Sequence, residues 1–442
     1  MALTGLQIFK MMPKKNCKTC GHPTCLAFSM ALAASKISLD ACPNVSDEAK
    51  EALGSAAAPP VAKITMGAGD KAREMGDETV LFRHDKMFFH PACLAITIDS
   101  DLDDGAFGDR LAKINDLTFE RVGEQVGIDA IALIDKNGDA SAFAAKAKKV
   151  VSDGKFAPIF VSAKSDVLVA AVKDCASANP LLYCTDPSGV EAVAKAAGDC
   201  PVVVPGNSLD EMSALAEKIS GTCKNLVLAP SNESPVQKLV ELNQIRRQAI
   251  RKKVRPLGYP SLVRVSSKDA YAQVAEASMY IAKYGSVVLM DTAEKAHILP
   301  LCAEIMNIYS DPQTPAQVVP GIYPVGDATA DSPVYLTTNF SLTYYTVEGE
   351  VSSSGIPGWV IAFPTDGTSV LTAWSAGKYT ADKIAEYFKE NDLQGKVSHN
   401  SVVICGYVAI IKAPLEEKSG MKVIVGPSEA SGIPAFAKAN FQ

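Results

Sequence analysis

The sequence lacks a long apolar run and a strong charge of one sign. No stretch of the 442 residues is long and apolar enough to cross a bilayer. The N-terminal segment MALTGLQIFKMMPKKN also lacks the apolar core and cleavage site of a signal peptide. The formal net charge is only −6, which argues against nucleic acid as a main partner. We therefore expect a cytoplasmic protein that binds neither membranes nor nucleic acid.

Most of the cysteines follow no recognisable pattern. Seven of the eleven are scattered, mostly within apolar runs, and they predict buried, reduced thiols in a reducing compartment. These seven are Cys93, Cys175, Cys184, Cys200, Cys223, Cys302 and Cys405.

Four cysteines near the N-terminus do follow a pattern. Cys17, Cys20, Cys25 and Cys42 have the spacing C-x2-C-x4-C-x16-C within NCKTCGHPTCLAFSMALAASKISLDACPN. Four thiolates can hold a [4Fe–4S] cluster, and the close triplet can surround three of its corners. A structural zinc site would more commonly use two short pairs, and plain buried thiols are a further alternative. The spacing favours the cluster and leaves His22 beside the ligands rather than among them.

Composition divides the chain into four predicted parts. Residues 1–57 form the cluster domain, and the small residues and proline pair of GSAAAPP, which starts at Gly54, indicate the linker that follows it. The predicted linker region extends over 58–92, where the mixed pattern of 61–92 is compatible with a short strand pair. Residues 93–318 form a central domain and residues 319–442 a last one. The proline- and glycine-rich stretch 311–333 marks the boundary between these two.

The central domain repeats one motif eight times. Apolar runs alternate with stretches of helical pattern, and the runs are CLAITIDS, DAIALIDKNG, APIFVSAKS, PLLYCTDPS, PVVVPGNS, NLVLAPSN, YPSLVRVSS and SVVLMDTA. Continuous apolar strands are typical of a parallel sheet that is buried on both faces. Eight such units predict an α/β fold of the (β/α)8 TIM-barrel type, with a doubly wound open sheet as the alternative.

Polar residues follow several of these strands, where barrel enzymes place their chemistry. No pair of them forms an acid–base or metal-binding arrangement, and several have the pattern of helix caps. The sequence therefore favours a scaffold or docking barrel over a catalytic one. The residues concerned are Asp99, Asp135, Asp186, Asn207, Ser231 and Asp291.

The last domain has the pattern of a small Rossmann-like α/β unit. We expect strands at GWVIAFP, SVLTAW, SVVICG and MKVIVGP, an extended strand or hairpin arm at YYTVEGEVSSSG, and a helix at ADKIAEYFKEND capped by Thr380. Small residues follow several of these strands, where a large flat ligand could approach the backbone. No G-x-G-x-x-G follows a strand, so a nicotinamide site is unsupported.

Taken together, the chain resembles the large subunit of the corrinoid/iron–sulfur protein of the acetyl-CoA (Wood–Ljungdahl) pathway. NCKTCGHPTC…ACPN is similar to the cluster motif of that family, and FPTDGTSVLTAWSAGKYTADKIAEYF is similar to its corrinoid domain. The resemblance covers essentially the whole chain. It implies an N-terminal [4Fe–4S] module, a central barrel and a C-terminal corrinoid-binding domain.

The resemblance also implies a function. In this family, a cobalt(I) corrinoid accepts methyl from methyltetrahydrofolate through a separate methyltransferase. The methyl-cobalt(III) form then donates the methyl group to the nickel cluster of acetyl-CoA synthase. The [4Fe–4S] cluster reductively reactivates corrinoid that has reached cobalt(II). The implied partners are a small TIM-barrel subunit that completes a heterodimer, the methyltransferase, and CO dehydrogenase/acetyl-CoA synthase. The chain is then a methyl-carrier subunit rather than a stand-alone enzyme.

The corrinoid contacts are likewise expected from the resemblance. They are Thr346 on the arm, Val370, Leu371, Thr372 and Ala373 on a strand, and Gly432 and Ile433 near the C-terminus.

The chain has five histidines, and none stands in the D-x-H-x-x-G motif with which many corrinoid domains ligate cobalt. Only His399 lies in the last domain, and we expect it to be exposed. The corrinoid is therefore expected to be base-off, with no axial ligand from the protein. An empty lower face keeps reduction within reach of a low-potential cluster.

Three other functions remain open on the sequence alone. The first is an electron-transfer protein whose only cofactor is the cluster. The second is a pterin-dependent methyltransferase that uses the barrel. The third is a reductase that activates another corrinoid protein.

Overall fold

The computed structural model describes residues 5–33, 37, 39–46, 49, 59–121 and 123–442. The chain forms two compact units. The larger comprises residues up to 119 together with 125–309, and the smaller comprises residues 120–124 and 310–442. In the described residues, no helix is both long and apolar enough to pass through a membrane.

The larger unit begins with the cysteine-rich segment. Its helices are α1 (Gly5–Met11) and α2 (Cys25–Ala33), followed by a short 3-10 turn at Leu39–Ala41. Ile8, Phe28 and Leu32 are buried in a small core together with two of the four cysteines. The segment between the third and fourth cysteines is therefore helical as far as residue 33, and residues 34–36 lie outside the described part.

Two short strands come next and lead into a closed barrel. Strands β1 (Ile64–Met66) and β2 (Arg73–Met75) pair antiparallel. Eight parallel strands then form the barrel: β3 (Cys93–Asp99), β6 (Ala130–Ile134), β7 (Ala157–Ser162), β8 (Leu181–Cys184), β9 (Val202–Gly206), β10 (Leu226–Pro230), β11 (Ser261–Arg264) and β12 (Gly285–Met290). The intervening pair, β4 (Thr118–Arg121) and β5 (Glu124–Gly127), forms a separate two-stranded sheet. The prediction of a (β/α)8 barrel is confirmed.

Eight helices accompany the barrel strands. They are α3 (Asp104–Asn115), α4 (Ala140–Asp153), α5 (Ser165–Cys175), α6 (Val190–Ala196), α7 (Leu209–Ile219), α8 (Pro235–Arg251), α9 (Ala270–Ile281) and α10 (Lys295–Ile308). Each strand is buried on both faces, as β6 shows. Ile131 and Leu133 of β6 pack in the core with helix residues, while Ala130, Ala132 and Ile134 pack inside the barrel. This two-sided burial explains the continuous apolar runs in the sequence.

The β1–β2 pair closes one end of the barrel. Ile64, Met66 and Met75 pack among the inward-facing side chains of the barrel strands. The backbone N–H of Gly67 donates to the carbonyl of Asn179, which precedes β8, so the pair lies at the N-terminal end of the strands. The described part of the predicted linker 58–92 is therefore ordered against the barrel, while the domain bounds themselves stay a prediction.

The smaller unit is an open, doubly wound α/β sheet. Its strands are β13 (Gly321–Val325), β14 (Val334–Thr338), β15 (Gly358–Phe363), β16 (Ser401–Ile404) and β17 (Lys422–Val425). They lie in the order β13-β15-β14-β16-β17, and all are parallel except β13, which is antiparallel at one edge. The edge position accommodates Pro324 within β13, because a proline cannot donate to a second neighbour.

Helices cover both faces of this sheet. They are α11 (Ser341–Ser353), α12 (Val370–Ser375), α13 (Ala381–Glu390), α14 (Leu393–Lys396), α15 (Lys412–Ser419) and α16 (Ile433–Phe441). Residues of α12, α13 and α15 share one core with Leu336 and Ile361. Residues of α11 and α16 share the core on the other face with Tyr335 and Val360. The predicted helix at ADKIAEYFKEND is confirmed as α13, whose N-cap is Thr380.

Two of the expected strands are helices. The predicted arm at YYTVEGEVSSSG lies in α11, because Tyr344 and Val351 are buried two turns apart and form one helical stripe. The predicted strand SVLTAW is α12, whose buried residues Val370 and Ala373 are three positions apart. Both segments are rich in β-branched and aromatic residues, and helix packing overrides that preference here.

Candidate functional site

A cavity of about 330 Å³ lies at the carboxyl ends of the strands in the smaller unit. It opens between β14 and β16, where the chain crosses from one side of the sheet to the other. Leu336 and Thr337 contribute from the end of β14, and Ile404 and Cys405 from the end of β16. Ligands of doubly wound sheets bind at this switch point, because the loops after the two strands diverge there.

Four of the seven expected corrinoid contacts line this cavity. Thr346 comes from α11, Val370 and Leu371 from α12, and Ile433 from the start of α16. The helices therefore bring together residues that are almost 90 positions apart in the chain.

The other three expected contacts do not line the cavity. Ala373 is fully buried in the core, and Thr372 is exposed, with its hydroxyl accepting a 3.0 Å hydrogen bond from Ser369. Successive side chains of a helix point in different directions, so α12 directs Thr372 and Ala373 away from the cavity. A side chain added at Gly432 would lie 2.8 Å from Pro427, which does line the cavity. Gly432 therefore leaves the space that Pro427 needs to keep its place in the cavity wall.

The sequence did not single out several residues of the rim and floor. Leu342 and Tyr407 line the cavity and are 58% and 53% exposed, and Leu371 is 46% exposed. Large apolar side chains at such exposure are a sign of a binding surface when they cluster. Leu342 and Tyr407 stand in no sequence motif, and only the tertiary structure brings them together.

The floor of the cavity holds a buried hydroxyl with no partner. Tyr335 lines the cavity, and its hydroxyl accepts and donates no hydrogen bond in the described part of the chain. Burial raises the pKa of Tyr335 to about 12, so the hydroxyl keeps its proton at neutral pH. A buried hydroxyl without a partner is costly, and a polar group of a bound ligand would satisfy it.

The donors around the cavity offer little to a cobalt ion. Cys405 is the one thiol among the described lining residues, and burial raises its pKa, so it is protonated at neutral pH. His399 lies before β16, at the opposite end of the strands from the cavity. It is half-buried rather than exposed as expected, because its ring bonds the carbonyl of Ser332 and the backbone of Ser401. Apolar rim, unpartnered hydroxyl and poor metal donors together fit a large macrocycle that brings its own metal.

The four patterned cysteines line one small cavity in the larger unit. Cys17, Cys20, Cys25 and Cys42 surround it, with Phe28 of α2 on one side. Among the described residues, no group of three or more His, Cys, Asp or Glu side chains is arranged as a metal site. The ligands of a four-iron cluster bind four different irons, so their sulfurs need not converge on one point as zinc ligands do.

The loop that carries these cysteines has an unusual backbone. Lys14, Asn16, Lys18 and Gly21 all have positive φ, at 53°, 46°, 63° and 78°. Three of the four are not glycine, and such strained positions persist only where the surrounding structure holds them. The backbone N–H of Cys25 donates to the Asn16 side-chain oxygen at 2.8 Å, which is one such restraint.

Hydrogen bonds also reach the sulfurs. The Asn16 backbone N–H donates to Cys25 Sγ at 3.4 Å, and the Asn44 amide donates to Cys17 Sγ at 3.3 Å. A hydrogen bond with Thr19 lowers the pKa of the Cys17 thiol. Burial raises the pKa of Cys42, and the other three thiols add to this effect by repulsion. Donors aimed at sulfur favour thiolates, which is the form that binds iron.

Three of the six polar residues expected at the barrel mouth have partners close to their own strands. Asp135 accepts from Ser162 and Gly138, Asp186 caps the turn at Pro187–Gly189, and Asp99 lies 3.4 Å from Lys136. The remaining three do share a cavity of about 520 Å³, which is lined by Asn207, Ser231 and Asp291 among others.

Comparison with known proteins identifies the family. A family model described as CO dehydrogenase/acetyl-CoA synthase delta subunit matches residues 63–437, and one described as Putative Fe-S cluster matches residues 12–44. The Corrinoid/iron-sulfur protein large subunit of Moorella thermoacetica is 45% identical over 100% of this chain and 99% of its own length. The chain belongs to the family of corrinoid/iron–sulfur protein large subunits. The resemblance drawn from the cysteine and C-terminal motifs is thereby confirmed.

Archaeal relatives of the corrinoid/iron–sulfur large subunits match this chain over a similar length. The Acetyl-CoA decarbonylase/synthase complex subunit gamma of Methanosarcina acetivorans is 33% identical over 99% of this chain and 98% of its own. The subunit of the same name from Methanopyrus kandleri is 30% identical over 98% and 97%. These sequence matches therefore extend over the cysteine segment, the barrel and the C-terminal sheet.

Proposed function

We propose that this chain carries a methyl group from methyltetrahydrofolate to the nickel cluster of acetyl-CoA synthase. The smaller unit would hold a corrinoid in the cavity between β14 and β16, and the four cysteines would hold a [4Fe–4S] cluster. When bound, the corrinoid supplies a cobalt that takes up and releases methyl, and the cluster supplies electrons at low potential.

One observation carries the proposal. The cavity lies at the switch point of a doubly wound sheet, and four residues expected from the family resemblance line it: Thr346, Val370, Leu371 and Ile433. Its exposed apolar rim would cover one face of a flat macrocycle. The unpartnered Tyr335 hydroxyl would bond one of the polar side chains at the edge of that macrocycle.

The cobalt would have no axial ligand from the protein. All five histidines are among the described residues, and none lines the cavity. The raised pKa of Cys405 leaves a protonated thiol, which is a poor ligand. The side chains of α12 and α11 would therefore cover the metal without bonding it. This keeps the metal easy to reduce by the cluster, which would reactivate corrinoid that has been oxidised to cobalt(II).

The proposed partners follow from this task. A methyl carrier needs a donor enzyme and an acceptor, which would be the methyltetrahydrofolate:corrinoid methyltransferase and CO dehydrogenase/acetyl-CoA synthase. A small TIM-barrel subunit would complete the heterodimer. The name of the archaeal relatives, which places them in a decarbonylase/synthase complex, supports the second of these partnerships.

Metal analysis of the purified protein tests the proposal. We expect about one cobalt and about four irons per chain, the content of one corrinoid and one [4Fe–4S] cluster. Cys42→Ser should lower the iron content and leave cobalt unchanged. Cys302→Ala, which changes a buried thiol of the barrel, is the matched control and should change neither. Iron without cobalt would contradict the proposal and favour an electron-transfer protein. Methyl transfer to free cobalamin by this chain alone would instead favour a methyltransferase barrel.

A further inference from the structure

The mouth of the barrel contains a polar cavity that the proposed function does not use. It has a volume of about 520 Å³ and lies at the carboxyl ends of β8 to β12. Hydroxyl, amide and charged side chains make up most of its wall. This is the end of a barrel where ligands bind, because the loops after the strands converge there.

A buried cation lines this cavity and makes no direct ion pair with a carboxylate in the described part of the chain. Lys238 of α8 is only 5% exposed, and its ammonium donates to the carbonyl of Arg264 at 2.8 Å and to the hydroxyl of Ser266 at 2.5 Å. No carboxylate in the described part of the chain lies within ion-pair distance of it, although the carboxylates of Glu276, Glu233 and Glu241 attract it from farther away. Buried charges in proteins are normally paired, because taking a charge out of water is costly.

A second cation faces the same space. Arg264 is the last residue of β11 and lines the cavity, and its side chain is partly exposed. Its guanidinium lies 3.8 Å from the carboxylate of Asp291, which is longer than a hydrogen bond, and it donates no hydrogen bond among the described residues. Burial lowers the pKa of Lys238, and repulsion from Arg264 adds to this effect, while three nearby carboxylates oppose it. An anion placed near both would remove that repulsion.

The structure distinguishes between the anions that could fit. In many barrels, backbone N–H groups of the loop after the seventh strand hold a phosphate. Here those groups are already used, because the N–H of Ser266 and that of Ser267 each donate to the buried carboxylate of Glu276 at 2.9 Å. Glu276 also accepts from the Tyr280 hydroxyl at 2.7 Å, so it is held in place. The donors that remain are the side chains, and a guanidinium fork matches a carboxylate.

We propose that the barrel mouth binds a small carboxylate ligand between Arg264 and Lys238. The guanidinium of Arg264 pairs with the carboxylate, and the ammonium of Lys238 compensates its charge from the cavity wall. Ser231 and Asn207 are placed to bond hydroxyl or amide groups on the remainder of the ligand. This site lies in the barrel and does not depend on the corrinoid cavity or the cysteine cluster.

Calorimetric titration of the full chain with succinate and with acetate tests this proposal. We expect saturable binding of at least one of these carboxylates to one site, and no binding of the neutral succinamide. Arg264→Gln should weaken the binding about tenfold or more, because it removes a charged hydrogen-bond fork. Arg247→Gln is the matched control, since Arg247 is exposed on the same helix as Lys238 and does not line the cavity, and should leave binding unchanged.

Two further comparisons keep the test decisive. Arg264→Lys keeps the charge and loses the fork, so it should bind more weakly than the native chain even if Arg264→Gln were to misfold. Inorganic phosphate should bind more weakly than the carboxylates. The proposal is overturned if neither carboxylate shows saturable binding, if phosphate binds as tightly, or if both Arg264 variants bind like the native chain.

Discussion

Two tyrosine hydroxyls are buried without a hydrogen-bond partner in the described part of the smaller unit. Tyr335 lines the candidate corrinoid cavity, whereas Tyr387 of α13 lies in the core on the other face of the sheet. The two residues thus share the same energetic defect and differ in their position relative to the site. They form a natural pair for asking whether the defect at Tyr335 serves a ligand.

Replacing these tyrosines should separate stability from binding. Tyr335→Phe and Tyr387→Phe each remove a buried, unsatisfied hydroxyl, so each should raise the free energy of unfolding of the ligand-free unit by about 1 kcal/mol. Only Tyr335→Phe should weaken corrinoid binding, by about tenfold, because it alone removes a bond to the ligand. Both tryptophans, Trp359 and Trp374, lie in this unit, so their fluorescence during urea unfolding reports its stability. Equal corrinoid affinity in the two variants would show that Tyr335 makes no bond to the ligand.

At the scale of elements, α11 is the longer of the two helices that were predicted as extended segments. Its segment YYTVEGEVSSSG is rich in residues that favour strands, and its glycine argues against a helix interior. The signals for a helix were weaker but present. Tyr344 and Val351 are seven positions apart, and Gly355 follows the helix end with a φ of 72°, as a glycine in the C-terminal cap does.

Two glycine substitutions test the helix directly. Gly349 is exposed within α11, and a methyl group added there would meet no atom within 4 Å. Gly349→Ala should therefore raise the free energy of unfolding by about 0.5–1 kcal/mol. Gly355→Ala should lower it by about 1 kcal/mol, because alanine disfavours positive φ. Tryptophan fluorescence in urea measures both. Opposite signs are expected, and equal effects would favour the extended arm.

The segment before the barrel is held by a buried ion pair. Arg246 of α8 donates to the carboxylate of Glu78 at 2.9 Å and to the carbonyl of Val80, and both charged residues are buried. The guanidinium also lies over the rings of Phe88 and Tyr284. These contacts attach residues 78–88, which lie within the predicted linker region 58–92, to the barrel.

Breaking this pair should destabilise the barrel. Glu78→Ala leaves the buried Arg246 without its carboxylate, so we expect the free energy of unfolding to fall by about 3 kcal/mol. Far-UV circular dichroism in urea follows both units, and tryptophan fluorescence follows the smaller unit alone because both tryptophans lie there, so the loss should appear in the first signal and not in the second. Arg247→Ala, at an exposed position on the same helix, should change the stability by less than about 0.5 kcal/mol. A loss no larger than that of the control would show that the segment is only loosely attached.

These elements indicate what a single sequence can and cannot predict. The eight barrel strands were predictable because burial on both faces leaves continuous apolar runs such as CLAITID. The cysteine ligands were predictable because their spacing is local. The lining of the cavity in the smaller unit was only partly predictable, since Thr372 and Ala373 turn away from it on a helix that was expected to be a strand. The apolar rim formed by Leu342 and Tyr407 was not predictable, because their exposure is a property of the tertiary structure.

At the scale of the whole molecule, the proposed function would divide its two redox tasks between the two units. The cysteine cavity lies in the larger unit and the corrinoid cavity in the smaller one. Each cavity is built for its own group, with donors aimed at sulfur in one and an apolar rim in the other. In the proposed function, the two cavities are linked by one electronic requirement: the cobalt must stay easy to reduce, which would depend on an axial position without a protein nitrogen.

Electron paramagnetic resonance of the purified holoprotein in its cobalt(II) state shows whether a nitrogen is bonded to the cobalt. A nitrogen bonded to cobalt splits the signal into triplets, and a cobalt without such a ligand shows none. We expect a cobalt(II) signal without nitrogen splitting, unchanged when His399, the histidine of the smaller unit, is replaced by alanine. A triplet pattern, or the absence of any cobalt signal, would contradict the account.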